Sequence, residues 1–232
     1  MTIFIINWTL FTITFGLMLL FSFIMAIQAT HFYTKDVVET KFSILELEMP
    51  ATPKELVNIL SGLYKLSEKE KRKKAISSLK GQLYVDFLFM PCMYGTIFIL
   101  CMLVSAKMQY SGGAKIFSTL AWAQIIPWIC DIIENIYLLQ KIKPHPVESS
   151  RSVHTAYLRM EIVKWGITLG ATICSVAAIC YFWLSGYYEV SSLNYLLVLS
   201  GEVIFFVMLG KFFLKKKKEE PQEKSRSTKQ DN

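Results

Sequence analysis

Phe87–Ala106 reads FLFMPCMYGTIFILCMLVSA, and this stretch decides the fold class. Its 20 residues carry no charged side chain. At 1.5 Å of rise per residue, a helix of this length crosses a hydrocarbon core about 30 Å thick. Buried helices of water-soluble proteins are rarely apolar for so long. Two further stretches share the property, Ile3 to Ile27 and Trp165 to Tyr188. Two more spans are interrupted by acids: Ile116 to Leu139 carries Asp131 and Glu134, and about Ser192 to Phe213 carries Glu202. Lipid offers no partner to open backbone groups, so these segments are expected as helices. The expectation is an all-α, polytopic membrane helix bundle of about five transmembrane helices with a small cytoplasmic helical layer.

The composition agrees, with 53% apolar residues and a mean hydropathy of +0.38. The first apolar stretch exceeds the h-region of a signal peptide, lacks a basic n-region and is followed by no A-x-A site, so it is expected to stay as helix one. The five cysteines fall within spans and form no C-x-x-C pair, which suits small apolar packing residues better than a disulfide or a zinc site.

Lys and Arg favour the cytoplasmic side of inserted helices. The connection between spans one and two holds ten of them, including Lys69, Lys71, Arg72, Lys73 and Lys74. The next holds Lys107 and Lys115, the third holds Lys141, Lys143, Arg151 and Arg159, and the fourth, Ser185 to Ser191, holds none. Lys215 to Lys218 then open the C-terminal segment. This places the N-terminus outside and the C-terminus in the cytoplasm of a multi-pass protein of the inner (plasma) membrane. The net charge of +7 follows from the same bias and from contact with anionic membrane lipids, so nucleic acid is not expected as a partner. The expected organisation is transmembrane helix 1 at 1–28, a cytoplasmic loop with amphipathic helices at 29–83, transmembrane helices 2–5 at 84–214, and a basic disordered tail at 215–232.

Within the first loop, the alternation in Phe42–Glu48 suggests an extended segment. Thr52, Pro53 and Glu55 form a capping box before a helix whose Leu56, Val57, Leu60, Leu63 and Tyr64 share one face. That face suits the membrane surface, the protein's own helix ends, or a protein partner docked at residues 53–66. Ser67 to Glu70 repeats the start signal for a helix that continues into span two.

Ionisable groups at membrane depth are costly and usually face the bundle interior. Asp86 lies at the inner end of span two, with Tyr94 two turns deeper. In span three, Gln124, Asp131 and Asn135 share a stripe, with Glu134 beside it, and Glu161 and Lys164 fall in the first turns of span four. Lys164, Thr168, Thr172 and Ser175 make a polar stripe, while Gly166 and Gly170 form a G-x-x-x-G that suits close approach of another backbone. Pro127 and Pro91 are candidate kinks. The candidate binding cluster is Asp86, Tyr94, Asp131, Glu134, Asn135 and Lys164, and the candidate metal ligands are Asp86, Asp131 and Glu134. Carboxylate and amide oxygens suit a divalent cation, a shared proton or a lipid headgroup, and the same groups also make a purely structural network around Lys164. Whether such a site is catalytic stays open. A structural or assembly subunit and a small transporter are the other function classes. His31, His145 and His154 lie in loops without ligand spacing, and no familiar catalytic motif occurs.

Together, Ser43–Glu48, the capped helix at Thr52, Asp86-Phe-Leu-Phe with Tyr94, and Cys130-Asp-Ile-Ile-Glu-Asn135 resemble a bacterial family of small, uncharacterised polytopic membrane proteins. The resemblance covers roughly residues 40–140. It implies that Asp86, Tyr94, Asp131, Glu134 and Asn135 are the site residues, and it implies no activity.

Overall fold

The computed structural model describes residues 6–230, with side chains described as far as Phe212, so the expected tail at 215–232 lies outside the residues whose side chains are described. The chain is 80% helical and has five helices long and apolar enough to cross a membrane. It is an all-α multi-pass helix bundle. Two compact units are present, Met1–Glu189 and Val190–Asn232.

In the first unit, α1 (Trp8–Ala29) begins where the Asn7 side chain accepts from the Leu10 backbone N–H at 2.8 Å. It packs along α4 (Lys69–Lys107), a 39-residue helix that carries the basic stretch directly into the membrane span. Ser67 does not cap it. The helix starts after Glu68, and the Ser67 hydroxyl accepts instead from Lys35 Nζ at 2.6 Å. Pro91 sits inside α4 without ending it. Pro127 acts more strongly. It lacks an N–H and crowds the carbonyl four residues earlier. The expected third span is accordingly two consecutive helices, α5 (Ser111–Ala123) and α6 (Ile125–Lys141), broken at Gln124. Next comes α7 (Arg151–Leu184), started by the Ser150 hydroxyl, which accepts from the Val153 N–H.

Between α1 and α4 lies an extramembrane layer with more structure than the sequence suggests. A two-stranded antiparallel hairpin, β1 (Tyr33–Lys35) and β2 (Glu39–Lys41), pairs Tyr33 with Lys41 and Lys35 with Glu39. The supposedly extended Phe42–Glu48 segment instead contains α2 (Ile44–Glu48). Its local chemistry explains this: the Glu46 carboxylate accepts from the Ser43 backbone N–H at 3.0 Å and from the Ser43 hydroxyl at 3.2 Å. A short helix with a satisfied first turn outcompetes an extended run that has no strand beside it. The helix α3 (Pro53–Tyr64) starts as expected, with Thr52 Oγ accepting from the Glu55 N–H at 3.1 Å. The Glu55 carboxylate reaches one residue further back than expected, to the Ala51 N–H at 2.6 Å.

The apolar face of α3 is used within the chain. Leu56, Ile59, Leu60 and Leu63 pack with Phe32, Phe42, Leu47, Leu79, Leu83 and Leu138 into one core. This core binds the layer to the ends of α4 and α6, and the Tyr64 hydroxyl donates to the Ile142 carbonyl at 3.3 Å. At the opposite end of the spans, Trp8 stacks on Trp183 with ring centroids 6.2 Å apart, and Lys107 lies 5.1 Å from the centre of the Tyr188 ring. Aromatic and long cationic side chains of this kind suit a membrane–water boundary. Gly166 and Gly170 of α7 face open space in this chain, so their G-x-x-x-G receives no backbone among the described residues.

The second unit holds a short 3-10 turn, Val190–Ser192, followed by α8 (Leu193–Gln230), whose segment Val190–Phe212 is the fifth apolar span.

Candidate functional site

Lys164 of α7 is 3% exposed and, among the described residues, is the only ammonium in a cluster of acids. Its Nζ donates to Asp131 Oδ1 at 3.0 Å and to Glu134 Oε2, and it lies 2.7 Å from Glu161 Oε2. The helix geometry dictates this convergence. Asp131 and Glu134 are three residues apart on α6, Glu161 and Lys164 are three apart on α7, and residues at that spacing share a helix face. The two helices pack together and turn these faces toward each other.

The remaining groups extend the cluster toward α4. The Tyr94 hydroxyl donates to Asp131 Oδ2 at 2.7 Å. The Asn135 amide donates to Asp86 Oδ2 at 2.6 Å and to the Leu83 carbonyl at 3.4 Å. All six residues of the expected binding cluster therefore meet at one place, contributed by three helices.

The expected metal set does not gather as a unit. Asp131 is held between Tyr94 and Lys164, and Asp86 is turned to Asn135. The carboxylates that do converge are Glu48, Glu134 and Glu161, with one oxygen of each within 4.8 Å of the others. Two oxygens that each lie about 2.4 Å from one ion can be no more than about 4.8 Å apart, and these three oxygens meet that necessary condition. Glu161 is fully buried, and its ion pair with Lys164 is out of line for hydrogen bonding. Neither of its carboxylate oxygens has a hydrogen-bond partner.

Glu48 was missing from the sequence reading because it belongs to the layer, 38 residues before Asp86. The α2 helix lies by the C-terminal half of α6 and the N-terminal part of α7, secured by buried Leu47 and by the Tyr157 hydroxyl, which donates to the Leu47 carbonyl at 3.3 Å. Burial pushes the Glu48 carboxyl up to about 7. Lys164 opposes this, while Glu161, Asp131 and Asp86 add to it. Gln82 was also missed, although its place one turn before Asp86 on α4 is a signal that periodicity could have supplied. His154, expected in a solvated loop, is buried in the first turn of α7.

A cavity of about 140 Å³ adjoins the cluster and is lined by α1, α2, α4, α6 and α7. Glu48, Gln82, Asp86, Tyr94, Asp131, Asn135, Lys164 and Thr168 make its polar side. Five carboxyl groups (Glu48, Asp86, Asp131, Glu134, Glu161) thus share one buried ammonium, a balance that calls for protons or another cation. No known family model, curated protein or solved structure matches this chain.

Proposed function

We propose that this chain is an integral membrane protein that binds a hard divalent cation between its spanning helices, through Glu48, Glu134 and Glu161. One observation carries this reading: one oxygen from each of three carboxylates on three separate elements converges within 4.8 Å, with the single Lys164 ammonium shared between Glu134 and Glu161. Oxygen-only donors favour Ca²⁺, Mg²⁺ or Mn²⁺ over softer metals. Lys164 supplies charge balance when the ion is absent and turns toward Asp131 when it is present. Glu48 closes the site from outside the spans, and the proton that burial favours on its carboxyl is released on binding. The distribution of Lys and Arg supports a site in the cytoplasmic half of an inner (plasma) membrane, with the N-terminus outside.

The test uses chelator-treated protein in nanodiscs, titrated with Mn²⁺ under electron paramagnetic resonance and with Ca²⁺ and Mg²⁺ by calorimetry. One ion per chain is expected, with affinity reduced about 10–100-fold in Glu134→Gln and Glu161→Gln. Folded parent protein that takes up none of the three ions at millimolar concentration overturns the reading.

A further inference from the structure

We infer that the cavity beside the carboxylate centre is a binding site for the ammonium headgroup of an amphiphile. This goes beyond cation binding at Glu48, Glu134 and Glu161 and rests on different residues.

Two floor groups lack what an ammonium would supply. Gln82 is 7% exposed and lines the cavity, yet its Oε1 is buried with no hydrogen-bond partner. Asp86 accepts from the Asn135 amide, but no Lys or Arg pairs with it among the described residues. Lys164 also lines the cavity, but its Nζ is ion-paired to Asp131, Glu134 and Glu161 and forms no ion pair with Asp86, so three acids already share its one charge. The site therefore offers acceptors and negative charge, which select a headgroup with several N–H donors and one positive charge. Carboxylate headgroups would meet a surplus of acids, and a hydroxyl would leave the charge of Asp86 uncompensated.

The walls define the rest of the ligand. Met25 of α1, Phe89 and Met93 of α4, and Trp165 of α7 line the cavity, and each is only partly buried. All four belong to helices long and apolar enough to cross a membrane, so the apolar side of the cavity borders the acyl-chain region. An alkyl tail can run out along these side chains while the head stays on Asp86 and Gln82. Thioether side chains adapt easily to such a tail. The ammonium can come from a free alkylamine or from an aminophospholipid.

The experiment places the protein in pure phosphatidylcholine nanodiscs and titrates 11-bromoundecylamine or the bromo-alcohol of equal chain length, reading quenching of Trp165. A Trp165→Phe protein and empty nanodiscs supply the background. The amine is expected to bind about tenfold more tightly than the alcohol, as a charged hydrogen-bonded contact predicts. Asp86→Asn is expected to remove that preference. A Met25→Phe/Met93→Phe double variant narrows the cavity without touching its charge and should weaken amine and alcohol together while Mn²⁺ binding persists. Equal binding of amine and alcohol by the parent, an amine preference that survives Asp86→Asn, or undiminished amine binding by the double variant overturns the inference. Adding phosphatidylethanolamine distinguishes the sources: competition identifies the lipid headgroup, its absence a free amine, and both outcomes uphold ammonium recognition. Loss of Mn²⁺ binding alone counts against the metal reading and leaves this one standing.

Discussion

Glu48 and Lys164 are the residues on which the site depends, and they respond oppositely to neutralisation. Removing Lys164 leaves buried carboxylates without their one ammonium, a change that costs about 3–5 kcal/mol in comparable buried pairs. Lys164→Met should therefore lower the thermal unfolding temperature sharply in the absence of divalent ions. A variant that melts with the parent would show the network to be dispensable. Glu48 has an ordinary pKa of 4.5, and burial raises it to about 7. The folded form then holds a proton that the unfolded chain releases between these values. Its contribution to stability is complete below pH 4.5 and is lost as pH rises through about 7. Glu48→Gln keeps the neutral shape, so it should melt with the parent near pH 4.5 and above it by pH 8, in chelator. A pH-independent gap would show that Glu48 does not sit in the site. A third residue tests the layer. A Cβ on Gly62 would meet Thr34 Oγ1 and come within 2.9 Å of the Lys35 carbonyl. Backbone cannot yield as a flexible side chain does, so Gly62→Ala should cost about 1–3 kcal/mol in chemical denaturation, and no loss would refute the close approach.

Among the elements, α2 and α3 decide whether the site is covered. The α3 helix is long, has a cap and a strong apolar face, and could be read directly from Thr52–Tyr64. The five residues of α2 have no period to detect, and their helical state depends on the Ser43–Glu46 contact and on Leu47 finding the core. Thr52→Ala removes the acceptor for the Glu55 N–H and should cost about 1 kcal/mol. Leu60→Ala, in a fully buried position, should cost about 2–5 kcal/mol and loosen the layer that carries Glu48. Mn²⁺ affinity measured on both variants separates the two roles: it should fall more in Leu60→Ala than in Thr52→Ala. Equal affinities in both would detach the layer from the site. Span three shows how proline chemistry works at this scale. Pro127 ends α5 four residues upstream of itself, while Pro91 is carried through α4 intact. The difference lies in neighbours that residue identity alone does not reveal.

At the scale of the whole molecule, the proposed orientation puts the hairpin and α3 in the cytoplasm and the Lys107–Lys115 connection outside. Asp36→Cys and Tyr110→Cys, both on exposed turns, should therefore react with an impermeant maleimide on opposite sides of sealed vesicles. Labelling of both from one side would invert or abolish this topology. The five spans were legible in the sequence because lipid demands long uncharged helices, and that requirement is local and cumulative along the chain. Most of the polar cluster was legible for a related reason: an acid at membrane depth is so costly that its presence points inward. Only the tertiary structure decided which acids meet. Glu48 joins Glu134 and Glu161 across 86 and 113 residues of chain, while Asp86 is turned to Asn135 and Asp131 to Tyr94. Helix periodicity fixes the face on which each side chain lies. It cannot fix how helices rotate against one another or where a short layer helix comes to rest, because packing contacts distant in sequence set both.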